Sequence, residues 1–171
     1  MHPARLYDPR MPADPVLTPD LQIDLAASTI LIVDDNAQNR ELLEAYLEPL
    51  GCTLESAGDG VEAMARLGDA DRALPDLVLL DVMMPRMSGF EVCERIREDP
   101  RTRALPVMMV TALNELGDLE RGVEAGTDDF LSKPVNRLEL VTRVKSLLRV
   151  RHLTQKLERV QAQAQQHGDP A

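Results

Sequence analysis

A doubly wound α/β fold, five strand-then-helix units around one parallel sheet with an extended C-terminal helix, is predicted by three features of this 171-residue sequence. Five short apolar runs alternate with stretches of helical length. The runs are continuously apolar, as strands covered on both faces are. Acids or hydroxyls close several of them, at the strand ends where an open parallel sheet collects its functional groups.

The strand candidates, in order, are TILIV (29–33), TLESA (53–57), LVLL (77–80), PVMMV (106–110) and DFLS (129–132). Between them the apolar residues recur every three or four positions, the period of one helix face. Leu42, Leu43, Tyr46, Leu47 and Leu50 mark the first helix, which Pro49 should stop near Glu48, with Leu50 still covering the core. Asp59 and Glu62 have the spacing of an N-cap and its reciprocal partner ahead of Val61, Met64 and Leu67. Phe90, Cys93 and Ile96 mark a third helix; Leu116, Leu119 and Val123, halted by Gly126, mark a fourth. Asn136 and Glu139 repeat the capping spacing before Leu140, Val144 and Leu147. Gly117 and Gly122 in the fourth helix each cost about 0.8–1 kcal/mol relative to alanine. They signal either close packing, a late helix start, or a loosely held helix.

Around this body lie segments of other character. Residues 1–20 contain five prolines, and we expect a disordered leader over residues 1–27, then one domain over 28–150. The last helix should run on over 151–167, ahead of a disordered tail at 168–171. In that extension Val150, Leu153, Leu157 and Val160 form an a/d seam, the expected contact of a homodimer.

Charge and cysteines exclude some functions. The net charge is −10 and the pI about 4.7, which argues against unspecific binding of nucleic acid or anionic membrane. The imbalance is uneven: residues 133–159 hold 8 basic and only 2 acidic side chains. Cys52 and Cys93 lack metal-ligand spacing and read as small buried hydrophobes in a reducing compartment. No apolar run has the ~18 residues of a membrane span and no secretory signal opens the chain, so a cytoplasmic protein is expected.

The chemistry lies in the strand ends. Asp34 and Asp35 close the first strand, Asp81 the third and Thr111 the fourth, and Lys133 follows the fifth. Three carboxylates on one rim repel one another unless a cation sits among them. Mg²⁺, which binds one or two carboxylates plus phosphate oxygens and keeps waters, suits such a set. A hydroxyl, the backbone N–H beside it and an ammonium make the opposite half of a phosphate cradle. Lys133 is the first lysine of the chain, after eleven arginines, and a compact charge is the choice for a single oxygen.

ILIVDDN, LVLLDVMMPRMSGFEVC, PVMMVTAL and GTDDFLSKP, spanning about residues 28–150, resemble the receiver domain of two-component response regulators. The resemblance implies a strand order of 2-1-3-4-5. It implies Asp81 as acceptor of a phosphoryl group from the phosphohistidine of a sensor histidine kinase. Mg²⁺, or Mn²⁺ in its place, would be held by Asp35, Asp81 and the Met83 carbonyl, and by Asp34 through water. Val82, Thr111, Ala112 and Lys133 would bind the phosphoryl oxygens, with Thr111 and Phe130 as switch residues and a cis bond at Lys133–Pro134. Met83 and Leu113, two residues beyond Asp81 and Thr111, have side chains that cannot position a water, so a slow loss of the phosphoryl group is implied.

The expected function is that of a stand-alone regulator signalling by protein contact to a downstream protein, without DNA binding or a membrane, and with no enzymatic activity beyond its own phosphorylation and dephosphorylation. The alternatives are a phosphorelay shuttle, a piece of a larger regulator with a cyclic-dinucleotide output domain, or a dimer adaptor indifferent to phosphate. A dehalogenase-type phosphatase expects a second acid two residues after its nucleophile, where this chain has Met83.

Overall fold

A computed structural model describes residues 24–112 and 116–166; of these, the side chains of 116–118 and 166 are not described. The strands are β1 (Thr29–Val33), β2 (Thr53–Ala57), β3 (Leu77–Leu80), β4 (Val107–Thr111) and β5 (Asp129–Ser132). The helices are α1 (Ala37–Leu47), α2 (Gly60–Gly68), α3 (Gly89–Glu98), α4 (Leu116–Ala125) and α5 (Arg137–Gln166). All strand pairs are parallel, in the order β2-β1-β3-β4-β5. The strands fall where the apolar runs placed them, with β4 one residue further on, so that Thr111 is its last residue.

Continuous apolar strands give the sheet two buried faces. Ile30, Ile32, Leu77, Leu79, Met108, Val110 and Leu131 pack under Leu43 and Leu47 of α1 and Leu140, Val144 and Leu148 of α5. Leu31, Val33, Val78, Leu80, Val107 and Met109 face α2, α3 and α4 through Ala63, Leu67, Val92, Cys93, Ile96 and Ala125. All four residues of β3 are buried. Each buried aliphatic side chain contributes on the order of 1.5–3 kcal/mol, which anchors the strand that ends at Asp81. The edge strand β2 is half exposed, and its Glu55 pairs with Arg66 and Arg72, charges that blunt the edge.

Several local expectations are corrected. Asp24–Ala27, expected within the disordered leader, are ordered: Leu25–Ala27 form a 3-10 turn capped by Asp24, and Leu25 packs on the core. Residues 1–23 and 167–171 lie outside the described residues, as does Leu113. Val61, Leu119 and Val123 face solvent rather than the core; the inward positions are held by Gly60, Ala63 and Leu67 on α2 and by Gly122 and Ala125 on α4. Asp59 caps α2 through the Glu62 N–H at 2.8 Å, but the Glu62 carboxylate reaches Gly58 N–H instead of returning to the cap. Asn136 likewise accepts the Glu139 N–H, while the Glu139 carboxylate goes to Arg143 one turn on. A reciprocal capping box does form at Ser88 and Glu91, opening α3, where the spacing had gone unremarked.

Pro49 acts as expected: α1 stops at Leu47, and Glu48–Leu50 tighten into a 3-10 turn that ends at Gly51 with φ of +73°. On α3, the Arg97 guanidinium ties two loops together, donating to the carbonyls of Arg103 and Leu105 before β4 and to the Gly126 carbonyl and Asp128 before β5. α5 continues through residue 150 without a break and, over its last turns, exposes the apolar seam. No helix among the described residues is long and apolar enough to cross a membrane.

Both cysteines are free thiols. Burial pushes Cys93 up to about 11. Burial also raises Cys52, whose Sγ lies 3.0 Å from the Leu25 carbonyl. At pH 8 a thiol with a pKa near 11 is ionised in about one molecule in 10³. Alkylation of the native protein, followed by mass spectrometry, is therefore expected to label Cys52 first and Cys93 only on unfolding. Equal labelling rates in native buffer would contradict the burial argument.

Candidate functional site

The strand ends bring the expected groups to one rim. Oxygens of Asp34, Asp35 and Asp81 lie within 4.8 Å of one another, with Asp34 and Asp81 buried and Asp35 exposed. Lys133 Nζ is 2.8 Å from Asp34 Oδ2 and 3.0 Å from Asp81 Oδ1. Thr111 is buried at the end of β4, beside an exposed Ala112, and the Lys133 N–H donates to the Thr111 carbonyl at 2.9 Å. The Lys133–Pro134 bond is cis.

Asp81 is seated by the sheet: its N–H donates to the Val33 carbonyl at 2.8 Å, continuing the β1–β3 ladder past the last paired residues. The chain then turns back, with Gly89 N–H donating to the Val82 carbonyl at 3.0 Å. Val82 is buried in this turn and Met83 is mostly exposed. Arg86, with φ of +70°, ion-pairs with Asp59 and so ties the turn to the start of α2.

The electrostatics of the cluster follow from burial. Desolvation raises Asp81 above the ordinary carboxylate range; the Lys133 hydrogen bond pulls the other way, and Asp34 and Asp35 add to the rise. For Lys133 burial alone would lower the value, but its bonds to Asp34 and Asp81 outweigh that and raise it. One ammonium therefore does not balance the three acids, and a cation among them would favour the charged form of Asp81.

Two residues near the site had not been singled out from the sequence. Asn39 Nδ2 lies 3.2 Å from each Asp34 oxygen, and Arg40 donates to the Asp34 carbonyl at 2.6 Å. Both sit on the first turns of α1, a helix start whose polar residues carry no strand-end signal.

Phe130, on β5, packs partly buried against the core beside Met109 and beneath Gly122 of α4. A Cβ at Gly122 would fall 2.5 Å from Phe130 Cε1 and 3.3 Å from Met109 Sδ. Of the alternatives for this glycine, close packing is the one the structure shows.

A receiver-type sheet with an acidic rim and a lysine opposite defines the class of protein, and the comparisons agree. The chain belongs to the response regulator receiver domain family, whose model matches residues 30–145. It is 43% identical over 142 residues to the response regulator PleD of Caulobacter vibrioides, covering 83% of this chain and 31% of PleD. It is 47% identical over 120 residues to the transcriptional regulatory protein ResD of Bacillus subtilis, covering 70% of this chain and 48% of ResD. The chain thus spans less than half the length of each of these relatives. Among solved structures, Vibrio cholerae chemotaxis protein CheY4 superposes with a TM-score of 0.65 at 29% identity, covering 70% of this chain and 98% of that one. The BeF3-activated DrrB receiver domain superposes with a TM-score of 0.61 at 32% identity, covering 71% and 97%.

Proposed function

We propose that this receiver domain takes a phosphoryl group on Asp81 from a sensor histidine kinase and signals through changed protein contacts. The observation that carries the reading is the Asp81 carboxylate, buried at the end of β3, 3.0 Å from Lys133 Nζ and among the oxygens of Asp34 and Asp35. In the transfer, the P–N bond of a phosphohistidine breaks, a P–O bond to an Asp81 carboxylate oxygen forms, and the imidazole leaves. Lys133 meets the negative charge of the phosphoryl oxygens from one side, with the Thr111 hydroxyl and the backbone of Val82 and Ala112 as neighbouring donors. Asp34, Asp35, Asp81 and the Met83 carbonyl would hold Mg²⁺, or Mn²⁺ in its place. The donor set fits, being all oxygen with Asp35 exposed to water. Bound there, the ion supplies charge neutralisation for the phosphoryl oxygens.

Phe130 and Thr111 are the proposed switch pair, since β4 and β5 are registered Met109 to Phe130 and Thr111 to Ser132, and the ring meets α4. The domain division (28–150, then 151–167) and the seam belong to the same proposal. Val150, Leu153, Leu157 and Val160 are each between 44% and 59% exposed, spaced to line one helix face. A second copy, paired along α5, would cover them. The alternatives to output by protein contact are a relay to a second histidine protein and transcriptional regulation, which ResD's name states of that protein.

The test is intact mass after incubation with acetyl phosphate and Mg²⁺, which should rise by one phosphoryl group, mapped to Asp81 by borohydride reduction. No uptake from acetyl phosphate or from any histidine kinase would overturn the proposal. For the seam, light scattering on a sizing column should give a dimer, with or without beryllofluoride, that Leu157→Asp converts to a monomer. A variant that remains dimeric would move the interface elsewhere.

A further inference from the structure

The Asp34 carboxylate is held more firmly than its neighbours. It is 1% exposed, and donors approach it from three residues. Asn36 N–H donates to Oδ1 at 2.8 Å and Lys133 Nζ to Oδ2 at 2.8 Å. The Asn39 amide straddles the group, with Nδ2 at 3.2 Å from both oxygens. These three differ in kind. Asn36 fixes one oxygen through rigid backbone. Lys133 is shared with Asp81 and sits on a flexible stem. Only Asn39 bridges both oxygens from a short, neutral side chain. Its own place is fixed as the third residue of α1, where its N–H reaches the Asn36 cap at 3.4 Å.

Rotation of a carboxylate about its terminal torsion is soft, with a broad two-fold profile, so an unrestrained Asp34 would present its charge in many directions. A donor that touches both oxygens removes that freedom without changing the charge of the cluster. Partners of this kind, one step removed from a metal, commonly govern affinity as strongly as a ligand does, because they set the ligand's orientation. We propose that Asn39 is a positioning residue of the acidic site, holding the plane of Asp34 so that its charge meets a divalent cation shared with Asp35 and Asp81. This rests on the reading that the three acids bind Mg²⁺.

The arrangement makes a specific demand on Asn39. Its side chain is polar and only half-buried at the start of a helix, so losing it should cost the fold little. The loss should instead fall on the metal. It should also be recoverable: an Asp34 held only by Asn36 and the flexible Lys133 can still be captured by more cation.

The test uses the full chain and Mg²⁺ itself. Isothermal titration calorimetry of wild type, Asn39→Leu and Asn39→Ala should show Mg²⁺ binding weakened about 10- to 100-fold in both variants. In acetyl phosphate reactions the Mg²⁺ concentration for half-maximal rate should shift by the same factor while the plateau rate is kept. Melting in EDTA should stay within a degree or two of wild type. Variants that bind Mg²⁺ within twofold of wild type would overturn the proposal, and so would a melting temperature in EDTA that falls with affinity unchanged, which would mark Asn39 as structural. A wild type that binds no Mg²⁺ would instead overturn the reading of the acidic site beneath it. The paired variants guard against one failing to fold.

Discussion

Asp81→Asn is expected to stop uptake of a phosphoryl group while leaving the fold in place. An amide keeps the size and planarity of the carboxylate but offers no anionic oxygen to phosphorus. The Asp81 N–H bond to Val33 is a backbone bond and is untouched. Lys133 retains its bond to Asp34, so no ammonium is left buried alone. Loss of an essential nucleophile is felt on the order of 10⁴-fold or more in rate. Lys133→Ala removes only charge stabilisation and should cost less, on the order of 10²–10³-fold. A phosphate-affinity gel after acetyl phosphate treatment reads both. Undiminished labelling of Asp81→Asn would place the acceptor on another carboxylate, with Asp35, the exposed member of the cluster, the first to examine.

The parts of this site that the sequence makes legible are those tied to period. A buried parallel strand is a run of apolar residues, so the first polar residue after it marks the rim: Asp34, Asp81 and Thr111 follow from that alone. Lys133 adds a composition signal, the first lysine after eleven arginines. What was not legible depends on which face of a helix turns inward. Leu119 and Val123 have helical spacing, yet they point outward because Gly122 and Ala125 occupy the tighter approach to the sheet. Asn39 is one polar residue among several at a helix start, and only the three-dimensional path of α1 brings it across the Asp34 carboxylate. The caps show the same limit. Glu62 and Glu139 have the capping spacing, but each side chain found a better partner nearby, Gly58 N–H and Arg143. Spacing states what a side chain can reach, and competition among neighbours decides what it takes.

That competition also separates two glycines whose replacement by alanine should have opposite outcomes. At Gly89 an added Cβ would press into the Asp81 carbonyl oxygen and come 2.8 Å from Val82 Cα. Both are backbone atoms of the turn that carries Asp81, the proposed phosphoacceptor, and the Gly89 N–H to Val82 carbonyl bond closes that turn. Nothing there can swing aside, so strain must move α3 or the turn. Overpacking of this kind costs about 1–3 kcal/mol, and each kcal/mol lowers the melting temperature of a chain of this size by roughly 2–4 °C. We expect Gly89→Ala to melt about 2–12 °C lower and to phosphorylate more slowly, since Asp81 shifts with the turn. At Gly122 the obstacle is the Phe130 ring, a side chain that can rotate away. Alanine also favours the helix by about 0.8–1 kcal/mol, which offsets lost packing. Gly122→Ala should therefore melt close to wild type while displacing the ring. Because the chain has only two phenylalanines, ¹³C-labelled phenylalanine spectra resolve this directly: the Phe130 ring signals should move and those of Phe90 should not. Equal destabilisation by the two substitutions would show that the ring is as immovable as backbone, and Phe130 could then not serve as a switch by changing rotamer beneath α4.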